Sequence, residues 1–423
     1  NAQAVQCLSG DIHHQLLQED ALYTEAFLRN NIALAEATEA LLEERAQNVG
    51  YRSANEWEVL TVPIVVHILH STSDAIGSGG NISDAQVLQG ITYLKDAFRN
   101  RGGYASATGV DVGIDFCLAS QDPWGNASTG ITRTANNSFA YLNRIDDDYT
   151  MKENTGWDRE RYLNLWVVTD IIDPVVNVAG YTFLPGDHDP VVDGSVIRYD
   201  FFGSDADRSK VLVHEVGHFF NLLHTFEGGC QNNNCSLQGD YVCDTPPDGA
   251  ATQSASCNPI NSCSTDADDE QPRNPFRPVW MGGKGNQYDN TENYMDYIGR
   301  NCQNMFTQGQ KDRMRLSLES LLGYLLTSSA CQSTYNLDVG IQELYDPNDF
   351  MCTDDFTVLL HNYGSNVVNT AIINYQFDGG APQSYTWFGT LNANESVSVF
   401  VDAAFVLSGN NHTLTAYTSF PNG

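Results

Sequence analysis

The string His214-Glu215-Val216-Gly217-His218-Phe219-Phe220-Asn221-Leu222-Leu223-His224 constrains this 423-residue chain more than any other part of it. On a helix, His214 and His218 are four residues apart, project from one face and can reach one divalent ion. Glu215 points to the adjacent side. From there its carboxylate can deprotonate a water held in the open fourth position of a tetrahedral zinc. His224 lies too far along a straight helix to share the ion, so the chain must turn between His218 and His224. Asn221 is the expected place, because the left-handed conformation that ends helices is taken mostly by Gly and next most readily by Asn. A lone His-Glu-x-x-His is also compatible with an ordinary amphipathic helix. The third His, at this spacing, favours zinc.

A second string, Asn293-Tyr294-Met295-Asp296-Tyr297, lies in polar, Gly-rich sequence further on. Alone, Met295 reads as a gap-filling core residue. Together the two strings resemble the metzincin metalloproteases, which place a Met in a tight turn beneath the metal. Three more strings resemble the pappalysin family within that group: Val62-Pro63-Ile64-Val65-Val66-His67, Gly239-Asp240-Tyr241-Val242-Cys243-Asp244-Thr245-Pro246, and Cys302-Gln303-Asn304-Met305-Phe306-Thr307 with Gln310. The resemblance spans residues 60 to 320. It implies a secreted zinc metalloendopeptidase that hydrolyses peptide bonds through a zinc-bound water activated by Glu215. It also implies that Met295 shapes the metal floor and that the Tyr297 hydroxyl assists the oxyanion. Ala179-Gly180-Tyr181 resembles the edge strand that such enzymes lay antiparallel to a bound peptide, whose main chain would take the unpaired edge groups. Structural calcium is implied at Asp240, Asp244 and Thr245, with the carbonyl of Cys243. Implied disulfides join Cys235 to Cys263 and Cys257 to Cys302; Cys230 with Cys243 and Cys331 with Cys352 are then expected as pairs of sequence neighbours. Two residues depart from the family pattern. Asn221 replaces a Gly, which the backbone argument allows. Asn301 replaces an acidic residue that selects a basic side chain after the scissile bond, so a preference for Arg there is not expected.

With 53 acidic against 21 basic residues and a net charge of -32, the chain does not offer a basic surface for nucleic acid or anionic membrane. No apolar run approaches the length of a membrane span. The first residue is Asn1 rather than Met, as after removal of a signal peptide, and the sequence stops just after a strand, which leaves room for a longer natural chain. Ten Cys, most of them from Cys230 onward, suggest an oxidising compartment and structural bridges. No Cys-x-x-Cys pair supports the alternative of zinc binding by these Cys.

Residues 11 to 49 have helical periodicity through Leu16, Leu17, Leu22, Phe27, Leu28, Ile32, Leu34, Leu41 and Leu42, with no Gly or Pro before Gly50. Gly50 to Trp57, with Arg52, reads as an exposed linker suited to cleavage. Residues 1–52 are therefore expected to be a helical pro-segment that inhibits its own enzyme until cut near Arg45 or Arg52. Cys7 could supply a thiolate to the zinc in the latent form, as in cysteine-switch proenzymes; the alternative is a Cys7–Cys117 bridge. Residues 53–332 are expected to form an α/β (α+β) metzincin domain with a twisted mixed sheet and a zinc helix starting near Ser209. Its predicted strands are Leu60 to Leu69, Gly113 to Ala119, Asn164 to Thr169 and Val196 to Tyr199. Ser83 to Gln86 reads as a capping box opening a helix to about Arg99, and Thr307 to Gln310 as the cap of a last helix to about Leu326. From about Thr334, residues 333–423 carry short alternating segments at 356–360, 371–377, 384–388, 397–401 and 413–418, the pattern of an immunoglobulin-like sandwich.

Two other functions compete. One is a non-catalytic adhesion or scaffold protein that keeps a protease fold; the intact set of Glu215 and three His argues against it. The other is a small-peptide exopeptidase, since the motif fixes chemistry and not substrate length.

Overall fold

The structure is a computed structural model that describes residues 5–47, 59–174, 176–186, 189–249, 257–297, 299–332, 336–345, 356–393, 395–402, 413–419 and 421–422. The expected linker at Gly50 to Trp57, with Arg52, and Cys352 lie outside these residues. The chain divides into two compact units, residues 1–118 with 131–328 and residues 119–130 with 329–423.

The first unit opens with a short strand β1 (Val5–Cys7) and two helices, α1 (Ser9–Glu19) and α2 (Ala21–Gln47). The periodicity from residue 11 to 49 suggests one continuous helix. Asp20 divides it: its backbone is extended, and its carboxylate accepts from Leu22 N–H and Tyr23 N–H, so it ends one helix and caps the next. There follow β2 (Leu60–His70), α3 (Asp84–Phe98), β3 (Ile114–Leu118), β4 (Ile131–Ala135), α4 (Asn137–Ala140), β5 (Tyr141–Asn143), α5 (Asp148–Thr155), β6 (Leu163–Val168), β7 (Asp170–Ile172), β8 (Asn177–Thr182), β9 (Ser195–Arg198), α6 (Lys210–Phe219) and α7 (Gln308–Ser320). The main sheet runs β1-β8-β9-β6-β2-β3, with β4 also on β2. Its pairs are parallel except β8 with β9.

Strand β2 is apolar at nearly every position because both faces are covered. Val62, Ile64, Val66 and Ile68 share a core with α3 and α6, while Leu69 belongs to a second core with Trp166, Val168, Tyr181 and Met151 of α5. Pro63 lies in this strand opposite Cys117 of β3, one residue before the pairing with β6 begins at Ile64. Ser83 caps α3 through Gln86 N–H, but the expected reciprocal bond is absent, since the Gln86 amide reaches the carbonyls of Tyr199 and Phe202 instead. Thr307 and Gln310 do form a full capping box on α7.

The disulfides of the Cys-rich loop are Cys230–Cys263, Cys235–Cys243 and Cys257–Cys302. Of the expected pairs, Cys257–Cys302 is present, whereas Cys235–Cys263 and Cys230–Cys243 have exchanged partners. The chain reverses between Gly239 and Tyr241, both at positive φ, which brings Cys243 back to within 4.9 Å (Cα–Cα) of Cys235. Cys117 is disulfide-bonded and Cys7 is a buried free thiol, so the Cys7–Cys117 alternative is not formed.

The second unit contains β10 (Val339–Tyr345), β11 (Phe356–Asn362), β12 (Val368–Phe377), β13 (Gln383–Leu391), β14 (Ser396–Val401) and β15 (Leu414–Ser419). They form two antiparallel three-stranded sheets, β10-β11-β14 and β13-β12-β15. Phe356, Val358 and Leu360 of one sheet and Ala371, Ile373 and Tyr375 of the other bury their alternate side chains in one shared core.

Candidate metal centre and active site

Helix α6 is buried along its whole length and delivers His214 and His218 one turn apart. It ends where expected. Asn221 has φ of 71°, its N–H donates to His218 O at 2.8 Å, and Leu222 N–H reaches back to Gly217 O at 3.0 Å. The turn carries His224 to the same point in space. The three Nε2 atoms lie 3.1 to 3.2 Å apart, and Cys7 Sγ is 3.6 Å from His218 Nε2.

This geometry fits zinc. Nitrogens bound tetrahedrally at about 2.0–2.1 Å stand roughly 3.3 Å apart, and a sulfur at about 2.3 Å lies roughly 3.6 Å from each. His214 Nδ1 donates to Tyr294 O and His218 Nδ1 to Leu222 O, both at 2.7 Å, which leaves the Nε2 lone pairs of these two rings facing inward. Burial lowers the pKa of His214 to about 4 and those of His218 and His224 well below the ordinary range, so the rings are neutral donors to a cation. Burial, then the Glu215 charge, pushes the Cys7 thiol well up, so it would ionise only opposite a cation. Among the described residues these four form the one group of three or more His, Cys, Asp or Glu whose ligand atoms lie within 4.8 Å of one another.

Glu215 is fully buried beside them, and loss of water raises its carboxyl to about 7. Its Oε2 accepts from Ser9 Oγ at 2.8 Å, and its Oε1 accepts no hydrogen bond. Met295 sits under the helix: a Cβ on Gly217 would lie 2.6 Å from its Sδ, so the Gly inside the His string is required by the Met. The turn holding Met295 is fixed by Asn293, whose Oδ1 accepts from Met295 N–H and whose amide pairs reciprocally with that of Gln310. Tyr297 packs edge-to-face against His224, with ring centroids 4.7 Å apart, and donates its hydroxyl to Cys7 O at 2.6 Å.

Ala179, Gly180 and Tyr181 lie on β8, and the outer side of β8 is taken by β1 in parallel register, Cys7 opposite Gly180. A Cβ at Gly180 would meet Glu215 Cγ at 3.0 Å, so Gly here lets the strand approach the carboxylate. Tyr181 is buried and donates its hydroxyl to Asp148. Asn301 is exposed, and its amide makes a 3.5 Å contact with Cys257 Sγ. The residues expected to hold calcium cap turns. Asp240 accepts from Val242 N–H and Thr245 Oγ1, Asp244 accepts from Thr307 Oγ1 and Gly309 N–H at the start of α7, and Cys243 is in its disulfide.

Four contributors to the site carry no sequence signal of their own. Ser9, Gly10, Thr182 and Gly217 matter only through neighbours far away in sequence, and Gly217 alone could have been suspected, from its place between the two His.

Comparison with known proteins agrees with this geometry. Residues 145–319 match the Peptidase_M43 family model, described as pregnancy-associated plasma protein-A. That stretch is therefore similar to this pappalysin-type metalloprotease family. It is 27% identical over 301 residues to an extracellular metalloprotease of Sordaria macrospora, covering 69% of this chain and 85% of that protein. A counterpart from Pyricularia oryzae is 29% identical, covering 66% and 82%. Among solved structures, Tannerella forsythia mature mirolysin in complex with a cleaved peptide is 29% identical, with a TM-score of 0.50 over 64% of this chain and 97% of that one. A promirolysin mutant from the same organism is 25% identical, with a TM-score of 0.51, over 76% and 95%. The first unit thus has a mixed α/β, metzincin-like fold similar to that of mirolysin.

Proposed function

We propose that the chain is a secreted zinc metalloendopeptidase made as a latent proenzyme, with His214, His218 and His224 as zinc ligands. The observation that carries this reading is the convergence of three neutral imidazoles on one point beside a buried carboxylate. Zinc bound there would acidify a water and polarise a peptide carbonyl. Glu215 takes the proton of the attacking water through Oε1 or Oε2 and returns it to the leaving amine; burial, by raising its carboxyl to about 7, suits it to both transfers near neutral pH. Tyr297 donates its hydroxyl to the developing oxyanion, and Met295 keeps the floor apolar. Substrate lies along Ala179-Gly180-Tyr181 once β1 has left. Extended main-chain binding of this kind favours an internal peptide bond over a chain end. The names of the fungal relatives and the absence of any described helix long and apolar enough to cross a membrane support an extracellular setting.

Residues 1–52 serve as the pro-segment, residues 53–332 as the catalytic domain and residues 333–423 as an immunoglobulin-like sandwich. Cys7 occupies the position that the catalytic water needs. Calcium at Asp240, Cys243, Asp244 and Thr245 is a separate proposal, supported by one feature: burial raises the Asp240 carboxyl to about 7, and a hard cation would stabilise its ionised form.

Metal analysis tests both sites. The parent should carry one zinc that His224→Ala fails to retain, and calcium restored after a calcium-selective chelator should raise the melting temperature. Full zinc in His224→Ala would overturn the ligand set, and coincident melting curves would remove the calcium site.

A further inference from the structure

The segment from Cys7 to Gly10 holds the cleft by more than its thiol. Ser9 is buried, and its Oγ donates to Glu215 Oε2 at 2.8 Å while accepting from Thr182 N–H at 2.8 Å. The hydroxyl hydrogen therefore goes to the carboxylate assigned as general base, in the position from which an attacking water would donate. The hydroxyl lone pair takes a backbone donor at the end of β8 that an incoming peptide would otherwise use. Thr182 is itself tied to the metal helix, because its Oγ1 donates to the carbonyl of Glu215 at 3.0 Å. Next in the chain, a Cβ at Gly10 would stand 2.9 Å from His224 Nδ1, so only Gly lets the segment pass the third His this closely. Neither hydroxyl contact uses a metal-ligating atom; the Ser9 backbone N–H, which donates to Cys7 Sγ at 3.3 Å, is a separate contact that a side-chain substitution leaves in place.

We propose that Ser9 is a second latch on the latent enzyme, independent of the metal, which seals Glu215 and the Thr182 N–H while Cys7 covers the three histidines. The inhibitory meaning of this contact rests on the reading of Glu215 as general base; the contact and its strength do not. A buried hydrogen bond to a carboxylate is among the stronger ones, and deleting its donor should weaken retention of the segment on the order of tenfold or more.

The test uses the full chain with a cleavable site placed between residues 48 and 58, cut and then followed by the rate at which the N-terminal segment leaves on size exclusion. Ser9→Ala should speed release about tenfold in the parent and by a similar factor in a Cys7→Ala background, where the thiol latch is gone. In a Glu215→Ala background the acceleration should shrink, because only the Thr182 contact remains to be lost. Unchanged release in the parent, an acceleration that vanishes once Cys7 is replaced, or one of full size without Glu215 would each overturn the proposal. A cut parent enzyme that released its segment and cleaved no peptide would instead defeat the functional reading and leave this latch standing.

Discussion

Asn221 shows how one backbone angle brings the three histidines of the proposed metal centre together. Its φ of 71° turns the chain so that His224 can return, its carbonyl accepts from Arg313 Nε at 2.7 Å, and its own Oδ1 accepts no hydrogen bond. What Asn supplies is therefore tolerance of the left-handed region. Asn221→Gly should melt at or slightly above the parent temperature, whereas Asn221→Ala should lose about 1–2 kcal/mol and bind zinc less well. Equal stability of the two variants, measured by thermal unfolding, would contradict this account. At this scale the centre was largely legible, because His-Glu-x-x-His and the turn at Asn221 follow from local geometry. Ser9, Gly10 and Thr182 were not, because each acquires its meaning from a partner more than a hundred residues away.

Among the elements, the two N-terminal helices are held by a small apolar cluster, Tyr23 and Phe27 with Leu184 and Leu223, and by the Arg45–Asp312 pair. His13 lies in this interface, buried, with Nδ1 2.8 Å from the Tyr23 hydroxyl and its ring against Phe27. Burial lowers its pKa to about 3, with His14 adding to the effect. The neutral ring is the form the fold favours. Its stabilisation is complete above the free value of about 6.5 and is lost as pH falls from there towards 3, about 2 kcal/mol by pH 5. Susceptibility of α1 and α2 to limited proteolysis should rise between about pH 7 and pH 5, and a His13→Phe variant should lose most of that dependence. A dependence that survives His13→Phe intact would assign it elsewhere. Sequence pattern located these helices but not the break at Asp20, since capping is decided by one side chain within an otherwise periodic run. It also missed β1, a three-residue strand whose only reason to exist is its parallel pairing with β8. The exchanged disulfides have a similar origin: the reversal between Gly239 and Tyr241, rather than sequence spacing, selects which Cys meet.

Over the whole molecule, the residues that fix chemistry are separable from those that choose a substrate. Asn301 stands exposed beside the Cys257–Cys302 bridge and carries no charge, so it offers no charge-assisted pair to a guanidinium. Profiling the matured enzyme on a peptide library should show no dominant preference for Arg after the scissile bond, and Asn301→Asp should raise it; an overwhelming preference in the parent would contradict the assignment. The alternating segments after residue 356 did become two sheets around one core, because period-two burial is a local signal. The most direct test of the central claim joins metal content to chemistry in one pair of proteins. After removal of the N-terminal segment, Glu215→Gln should retain the same zinc as the parent while its cleavage of casein falls by roughly two to four orders of magnitude, since the role proposed for the carboxylate is to move a proton and not to bind the ion. A Glu215→Gln enzyme that held its zinc and cleaved casein at the parent rate would contradict it.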